Sequence, residues 1–367
     1  MKTTAALLRD LGGTLTLEEL DVPDPEGREV LVRLKGVGVC HTDLGAIHGA
    51  VPLPLPAVLG HEGAGIVEAV GESVEGLAVG DHVVLSFDSC GDCSPCTTGH
   101  PAYCELFAAL NYFGTRLDGT ATMRQDGHDV HGSWFGQSSF ATYALASARN
   151  AVKVPADLPI ELLGPLGCGL QTGAGTVLNV LRPRPGQGIA VFGVGAVGLA
   201  AVMAAKIAGC DPIVAIDTNA TRLPVARELG ATHTLDPNET DDLVWSVLEI
   251  ADGPGLDFSV ETVGAGPVVR QALEVLRSPG TCATLGLAGL ENDITIDQGH
   301  LLIGRTLTGV IEGDADPQQF IPELAELWRA GQFPIDRLVK RFPFAELNAA
   351  ISALAGGEVI KPVVVFE

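Results

Sequence analysis

The stretch GIAVFGVGAVGLAAVMAAKIAG, residues 188–209, decides how the chain is read. It is the closest approach to a membrane-spanning run in the sequence, yet five glycines punctuate it in a turn-like pattern. Gly193, Gly195 and Gly198 form G-x-G-x-x-G after the apolar run IAVF and before an alanine-rich segment closed by Gly209. That is a strand, a tight turn and a helix. The glycines allow a sharp turn and close approach of a pyrophosphate, whose charge suits the free amides at a helix N-terminus. Ala196 and Val197 complete the candidate loop. Asp217 ends the next apolar run, PIVAID, 19 residues after Gly198. A carboxylate there accepts hydrogen bonds from ribose hydroxyls and repels a 2′-phosphate, which favours NAD over NADP.

Outward from this loop the rhythm is strand and helix in alternation. The helices TRLPVARELGA and PVVRQALEVLRS separate the strands PIVAID, DFSVETVG and TCATLGLAG, which predicts a doubly wound parallel sheet. The first half reads differently. REVLVRLKGVGV sets Val30, Val32 and Leu34 against Leu31, Arg33 and Lys35, a strand with two unlike faces. GAGIVEAVG and GDHVVLSF are further short strands bounded by glycine, and the tail ends in the strand-like KPVVVFE. The expected class is α/β, with a nucleotide domain inserted between two pieces of a β-rich domain.

The chain has 367 residues, which favours two domains. Hydrophobic residues make up 46% and charged residues 18%, enough apolar material for a large core. The net charge of −23 argues against nucleic acid as a partner, because phosphates need a basic footprint. The opening MKTTAALLRDLGG lacks the apolar run of a signal peptide, so the expected location is cytoplasmic, where thiols stay reduced.

Half of the eight cysteines lie in SCGDCSPCTTGHPAYC, residues 89–104. Cys90, Cys93, Cys96 and Cys104 have the spacing C-x2-C-x2-C-x7-C, which suits four thiolates on one tetrahedral zinc. Neither common ferredoxin spacing fits, and the compartment disfavours disulfides. An all-thiolate site has no open position for substrate, so this zinc is expected to be structural. Chemistry then falls to Cys40 in GVGVCHTD, His61 and Glu62 in LGHEGAG, and Cys168 in GPLGCGLQTGAG. Two cysteines and a histidine with one open position form a catalytic zinc set, although no short spacing ties Cys168 to the others. Cys210 and Cys282 read as structural.

Taken together, CHTD, GHEGAG, the four-cysteine lobe, GCGLQTG, GVGAVG and the tail VIKP resemble the zinc-dependent alcohol dehydrogenases of the medium-chain dehydrogenase/reductase family, over essentially the whole chain. CHTDLGAIHGAVPLPLPAVLGHEGAG and VIEGDADPQQFIPEL look most like its benzyl- or aryl-alcohol branch. The resemblance implies a GroES-like catalytic domain over 1–160 and 301–367, with the structural zinc lobe at 88–105, and a Rossmann NAD-binding domain over 161–300. Cys40, His61 and Cys168 match the catalytic zinc ligands, with Glu62 able to exchange onto the metal. Asp43 matches the carboxylate that orients the zinc histidine, and Thr42 the hydroxyl that receives the alcohol proton. His41 and Lys361 match positions facing the pyrophosphate, Thr172 a position near the nicotinamide, and Arg222 a basic residue near the adenosine. Many members end the proton relay in a histidine where this chain has Gly45. His48 is the nearest alternative.

The implied reaction is hydride transfer from the carbinol carbon of a zinc-held primary alkoxide to NAD, in a cleft between the domains. Ser86, Phe87, Leu110, Leu287 and Ile311 are the candidate pocket residues, with the small Ser86 leaving room for an aromatic group. Terpenoid alcohols and a thiol adduct of formaldehyde are the competing substrates, the latter kept open by the long segment 106–139. A non-catalytic binding protein would have lost zinc ligands or Thr42, and all are present. The resemblance also implies a homo-oligomer, with a tetramer favoured over a dimer.

Overall fold

The computed structural model describes residues 1–286, 289 and 292–366; Leu287, one of the expected pocket residues, lies outside them. The chain divides into two compact units, residues 1–168 with 316–367, and residues 169–315.

In the second unit six strands run parallel, in the order His233–Leu235, Ile213–Ile216, Ile189–Phe192, Leu256–Glu261, Leu276–Thr284, Arg305–Gly309. Parallel neighbours need crossover connections, and the amphipathic segments between the strands supply them as helices. The sheet core gathers Phe192, Val214, Ile216, Leu256, Leu273 and Leu276 from strands and helices alike. Strand order reverses beside Ile189–Phe192, where a doubly wound sheet opens a crevice at its carboxyl ends. The glycine loop leaves the sheet at that point.

Two readings shift here. The helix expected over PVVRQALEVLRS ends at Glu274, because Leu276 is drawn into parallel pairing with Leu256. The junctions of the units lie at 168/169 and 315/316, later than the expected 160/161 and 300/301; at the rear, Arg305–Gly309 pairs with Gly280–Thr284 as the last strand of this sheet among the described residues.

The first unit is β-rich and GroES-like. Seven strands form one sheet along Ala151–Lys153, His82–Leu85, Glu62–Val70, Glu29–Gly38, Lys361–Val365 and Val339–Pro343, with Tyr143–Ser147 also on Glu29–Gly38. Val30, Val32 and Leu34 enter one core cluster, as their alternation predicts. Leu31 does not face water: it packs with Val22 and Leu145, so the strand is covered on both faces near its start. Two register pairs matter most. Gly38 sits opposite Glu62 on one side and Val363 on the other, which gathers the ends of three strands distant in sequence. Among the described residues no helix is long and apolar enough to cross a membrane.

A second sheet joins Ala57–Val58, Lys2–Leu8, Thr16–Asp21, Met123–Gln125 and His128–Val130. Glu18 ties it together by accepting from Arg9 at 2.7 Å, Gln125 at 2.6 Å and Thr16 at 2.6 Å. These bonds, Arg9 first, hold the Glu18 carboxyl down at about 2. Its folded value lies below the unfolded one, so its contribution to stability is complete above about pH 4.5 and lost as the pH falls towards 2. Thermal unfolding of Glu18→Gln against the parent should therefore differ at neutral pH and converge near pH 2. A difference that persists at pH 2 would contradict the assignment.

Candidate active site and metal centres

Cys40 follows the strand Glu29–Gly38 and caps the helix His41–Ile47. His61 immediately precedes the strand Glu62–Val70, and Lys361 opens the strand Lys361–Val365. Cys168 ends the short turn Gly164–Gly167. The register at Gly38 brings the first three together, and Gly38 itself is required: a Cβ there would strike the Glu62 carboxylate. Donor atoms of Cys40, His61, Glu62 and Cys168 all lie within 4.8 Å of one another.

The electrostatics suit a cation. The Cys40 thiol is held well below the usual range, first by its hydrogen bond with Cys168 and, against burial, by His61 and Lys361. A thiolate is the form that ligates metal. His61 Nδ1 lies 2.9 Å from Asp43 Oδ1, and a proton held there by the carboxylate would leave Nε2 to offer its lone pair to a metal. That Nε2 is buried and has no hydrogen-bond partner. A buried unpaired nitrogen facing two thiols and a carboxylate fits a tetrahedral zinc site with soft and borderline donors.

Glu62 and Lys361 are both out of water, at 0% and 3% side-chain exposure. The ammonium meets both carboxylate oxygens, at 2.8 and 2.9 Å, and the carbonyl of Val39 at 3.2 Å. Burial opposes the charge on Lys361, but Glu62 and Cys40 outweigh it and raise the pKa above the ordinary lysine value. The residue expected to face a pyrophosphate thus has its ammonium on Glu62.

The remaining expected residues are placed as follows. Thr42 is half-buried, with Oγ1 3.7 Å from Cys40 Sγ. His41 and His48 are exposed. Ser86 is buried, and its hydroxyl donates to Gly167 O at 2.7 Å, bracing the turn that carries Cys168. Phe87 is buried beside Phe107, and Leu110 is half-buried on the helix Phe107–Tyr112. Ile311 is half-buried in the second unit.

Sequence reasoning missed the segment GSWFGQSSF. Phe135 stacks on His61 with ring centres 4.4 Å apart, and Trp134 stands edge-on to the same ring. Buried Gln137 donates to the carbonyls of His61 and Ser86 and accepts from Gly63 N. Two adjacent aromatics between glycines were the only local signal.

The four-cysteine lobe also forms. Its sulfurs lie within 4.8 Å of one another, with Cys90–Cys96 and Cys93–Cys104 each at 3.9 Å. A tetrahedron with zinc–sulfur bonds of about 2.3 Å has edges of about 3.8 Å, so the spacing fits zinc. Backbone amides point at the sulfurs, Cys90 N to Cys104 at 3.3 Å and Leu106 N to the same atom at 3.4 Å. Amide bonds from Glu105 and Cys96 help hold the Cys93 thiol down to about 7. Cys210 and Cys282 lie outside both clusters, with burial pushing them up to about 11 and about 12.

In the second unit, Gly193 adopts φ +83° directly after its strand, and a Cβ on Gly198 would strike the carbonyl of Gly193. Gly195 caps the helix Ala196–Ile207 and has only Arg222 Nη1 within 4 Å of where a Cβ would stand, so the loop is open on that side. Asp217 is 8% exposed and accepts from Val194 N and Asn219 N, each at 2.7 Å, while Arg222 lies 3.5 Å away. Open glycine backbone at a helix N-terminus beside a strand-end carboxylate fits a dinucleotide. Thr172, on the helix Gly169–Gly175, bonds Glu312 at 3.4 Å.

Replacing Lys361 by Met should leave the Glu62 carboxylate buried without its cation, at an expected cost of about 3–5 kcal/mol in denaturant unfolding. Adding Glu62→Gln should recover most of that loss; a double variant no more stable than the single one would contradict it.

Comparison with known proteins follows the same division. Residues 26–156 match the alcohol dehydrogenase GroES-like domain, and residues 196–328 match the zinc-binding dehydrogenase domain. The chain is 50% identical over 364 residues to geraniol dehydrogenase of Castellaniella defragrans, covering 99% of this chain and 97% of that one. Among solved structures, an alcohol dehydrogenase zinc-binding domain protein from Burkholderia ambifaria superposes with a TM-score of 0.98 at 47% identity, covering 100% of this chain and 99% of the other. Benzyl alcohol dehydrogenase from Acinetobacter calcoaceticus superposes with a TM-score of 0.96 at 43% identity, with both chains fully covered. With fold, metal-fitting clusters and whole-length likeness in agreement, the chain belongs to the zinc-dependent medium-chain alcohol dehydrogenases.

Proposed function

We propose that this chain oxidises primary aromatic or allylic alcohols to aldehydes with NAD⁺, and catalyses the reverse reduction. The observation that carries the reading is the buried, unpaired Nε2 of His61 among two thiols and a carboxylate, with an aromatic wall against it. The wall continues from Phe135 to Phe107, Tyr112 and Phe87 as one packed aromatic cluster, an apolar setting that supports a flat, unsaturated substrate. Relatives named for geraniol and for benzyl alcohol support the same substrate range. The segment 106–139, on which the formaldehyde-adduct alternative rests, carries the helix Phe107–Tyr112, the hairpin at 123–130 and this wall.

In this reading Cys40, His61 and Cys168 hold a catalytic zinc, and Cys90, Cys93, Cys96 and Cys104 a structural one. Bound zinc supplies Lewis acidity to an alcohol oxygen, and bound NAD⁺ accepts the hydride. Asp43 keeps the proton of His61 on Nδ1, so that Nε2 faces the metal position. Thr42 Oγ1, beside Cys40, takes the hydroxyl proton outward. With Gly45 lacking a titratable side chain and His48 exposed, that proton passes from Thr42 to water. Lys361 holds Glu62 at the edge of the donor cluster, from which its carboxylate can exchange onto the metal. Asp217 receives the adenosine ribose, which supports NAD over NADP, and Arg222 lies beside it. His41 and Thr172 are assigned to the cofactor, and Ser86, Phe87, Leu110, Leu287 and Ile311 to the substrate side. Among the described residues no cysteine is paired in a disulfide, which suits a reducing cytoplasm. We also infer a homo-oligomer, tetramer favoured: Arg305–Gly309 is the last strand of its sheet among the described residues, beside exposed Leu302 and Ile303. Solution mass checks this.

The test is initial rates of NADH formation with benzyl alcohol, cinnamyl alcohol, geraniol, ethanol and the glutathione–formaldehyde adduct, repeated with NADP⁺ and with Cys168→Ala. Unsaturated alcohols should exceed ethanol in kcat/KM by roughly 100-fold or more. Cys168→Ala should abolish turnover and lose one of two zincs. Preference for the thiol adduct, or for NADP⁺, would overturn that part of the reading.

A further inference from the structure

Asp43 is fully buried, and among the described residues the hydrogen bonds to its carboxylate come from N–H donors. Oδ2 accepts from Cys40 N at 3.2 Å. Oδ1 accepts from Gly60 N at 3.2 Å, from His61 Nδ1 at 2.9 Å and from the indole Nε1 of Trp134 at 3.1 Å. The indole is donor-only and does not titrate, so it holds one oxygen in place whatever the state of the metal site. The next residue, Phe135, lies parallel to the His61 ring, with 23° between the planes.

This arrangement is built, not incidental. Phe135 adopts φ +51°, ψ +36°, a left-handed conformation that is uncommon for an aromatic residue and persists only where its surroundings impose it. Asn150 Nδ2 reaches the carbonyls of Phe135 and Gly136, each at 3.2 Å. Ser138 Oγ accepts from Trp134 N at 2.8 Å and donates to Val58 O at 2.6 Å. The whole turn is buried.

We propose that Trp134 and Phe135 are positioning residues for the metal-facing histidine: the indole N–H anchors Asp43, which holds one edge of the imidazole, while the phenyl ring holds its face. The imidazole is then left one direction for Nε2, towards Cys40, Glu62 and Cys168. The proposal rests on the reading of that cluster as a zinc site. Hydrogen-bond partners behind a metal-bound histidine commonly alter metal affinity by about 10–100-fold, which sets the expected scale.

Zinc release to a chelator separates the possibilities, with the four-cysteine lobe as an internal control. The parent should carry two zincs. Trp134→Phe keeps a ring but removes the donor, and should release the Cys40–His61–Cys168 zinc about 10-fold faster while the lobe zinc leaves at the parental rate. Cobalt substituted at the same site should show altered visible absorption bands in Trp134→Phe, a change that a loosened loop elsewhere would not cause. Parental release and an unchanged cobalt spectrum would overturn the role of the indole. If Trp134→Phe also loses its lobe metal, Phe135→Leu decides: selective loss from the histidine site supports the proposal, and parental retention at both sites overturns it. A parent holding zinc only in the lobe would instead overturn the metal reading, and the proposal with it.

Discussion

The buried pair between Glu62 and Lys361 is the constraint around which the β-rich unit is organised. It joins the strand after His61 to the last strand of the chain, 299 residues apart in sequence. Two charges withdrawn from water are costly unless each is fully met, and here the ammonium meets both carboxylate oxygens and a backbone carbonyl. Their closeness demands glycine at position 38, where any side chain would collide with the carboxylate. The strands on either side of Gly38 are thereby fixed in register, and the thiol of Cys40 is carried to His61.

Around this pair hydrogen bonds position the other members of the donor cluster. Asp43 is met by N–H groups, and Gln137 ties the backbone of His61 to that of Ser86. Ser86 in turn braces Gly167, next to Cys168. Each donor is thus positioned by a residue whose own polar atoms are satisfied, which favours a single geometry in a low-dielectric interior. The four-cysteine lobe follows another logic. Its ligands come from one short segment, and local amides orient the sulfurs.

That difference explains what could be read in advance. The lobe is local, so spacing alone singled out the four cysteines whose sulfurs the fold brings together. The glycine loop is local too: strand, turn, helix and Asp217 fall within 30 residues and form as expected. Cys168 could be joined to Cys40 and His61 only through family resemblance, because no spacing links it to them. The helix end at Glu274 and the sixth parallel strand were misjudged for a related reason. Both depend on pairing partners that local propensity does not see.

The order of elements, the α/β class, the zinc-binding residue types and the family were therefore determined by the amino-acid sequence itself, because each rests on local pattern or on motifs in order. The tertiary structure alone decided that Lys361 meets Glu62, that Ser86 braces a turn, and that Trp134 and Phe135 enclose His61. Those contacts join residues far apart in the chain. They exist because strand register and burial bring polar groups to places where each must find a partner or bear the cost of losing water.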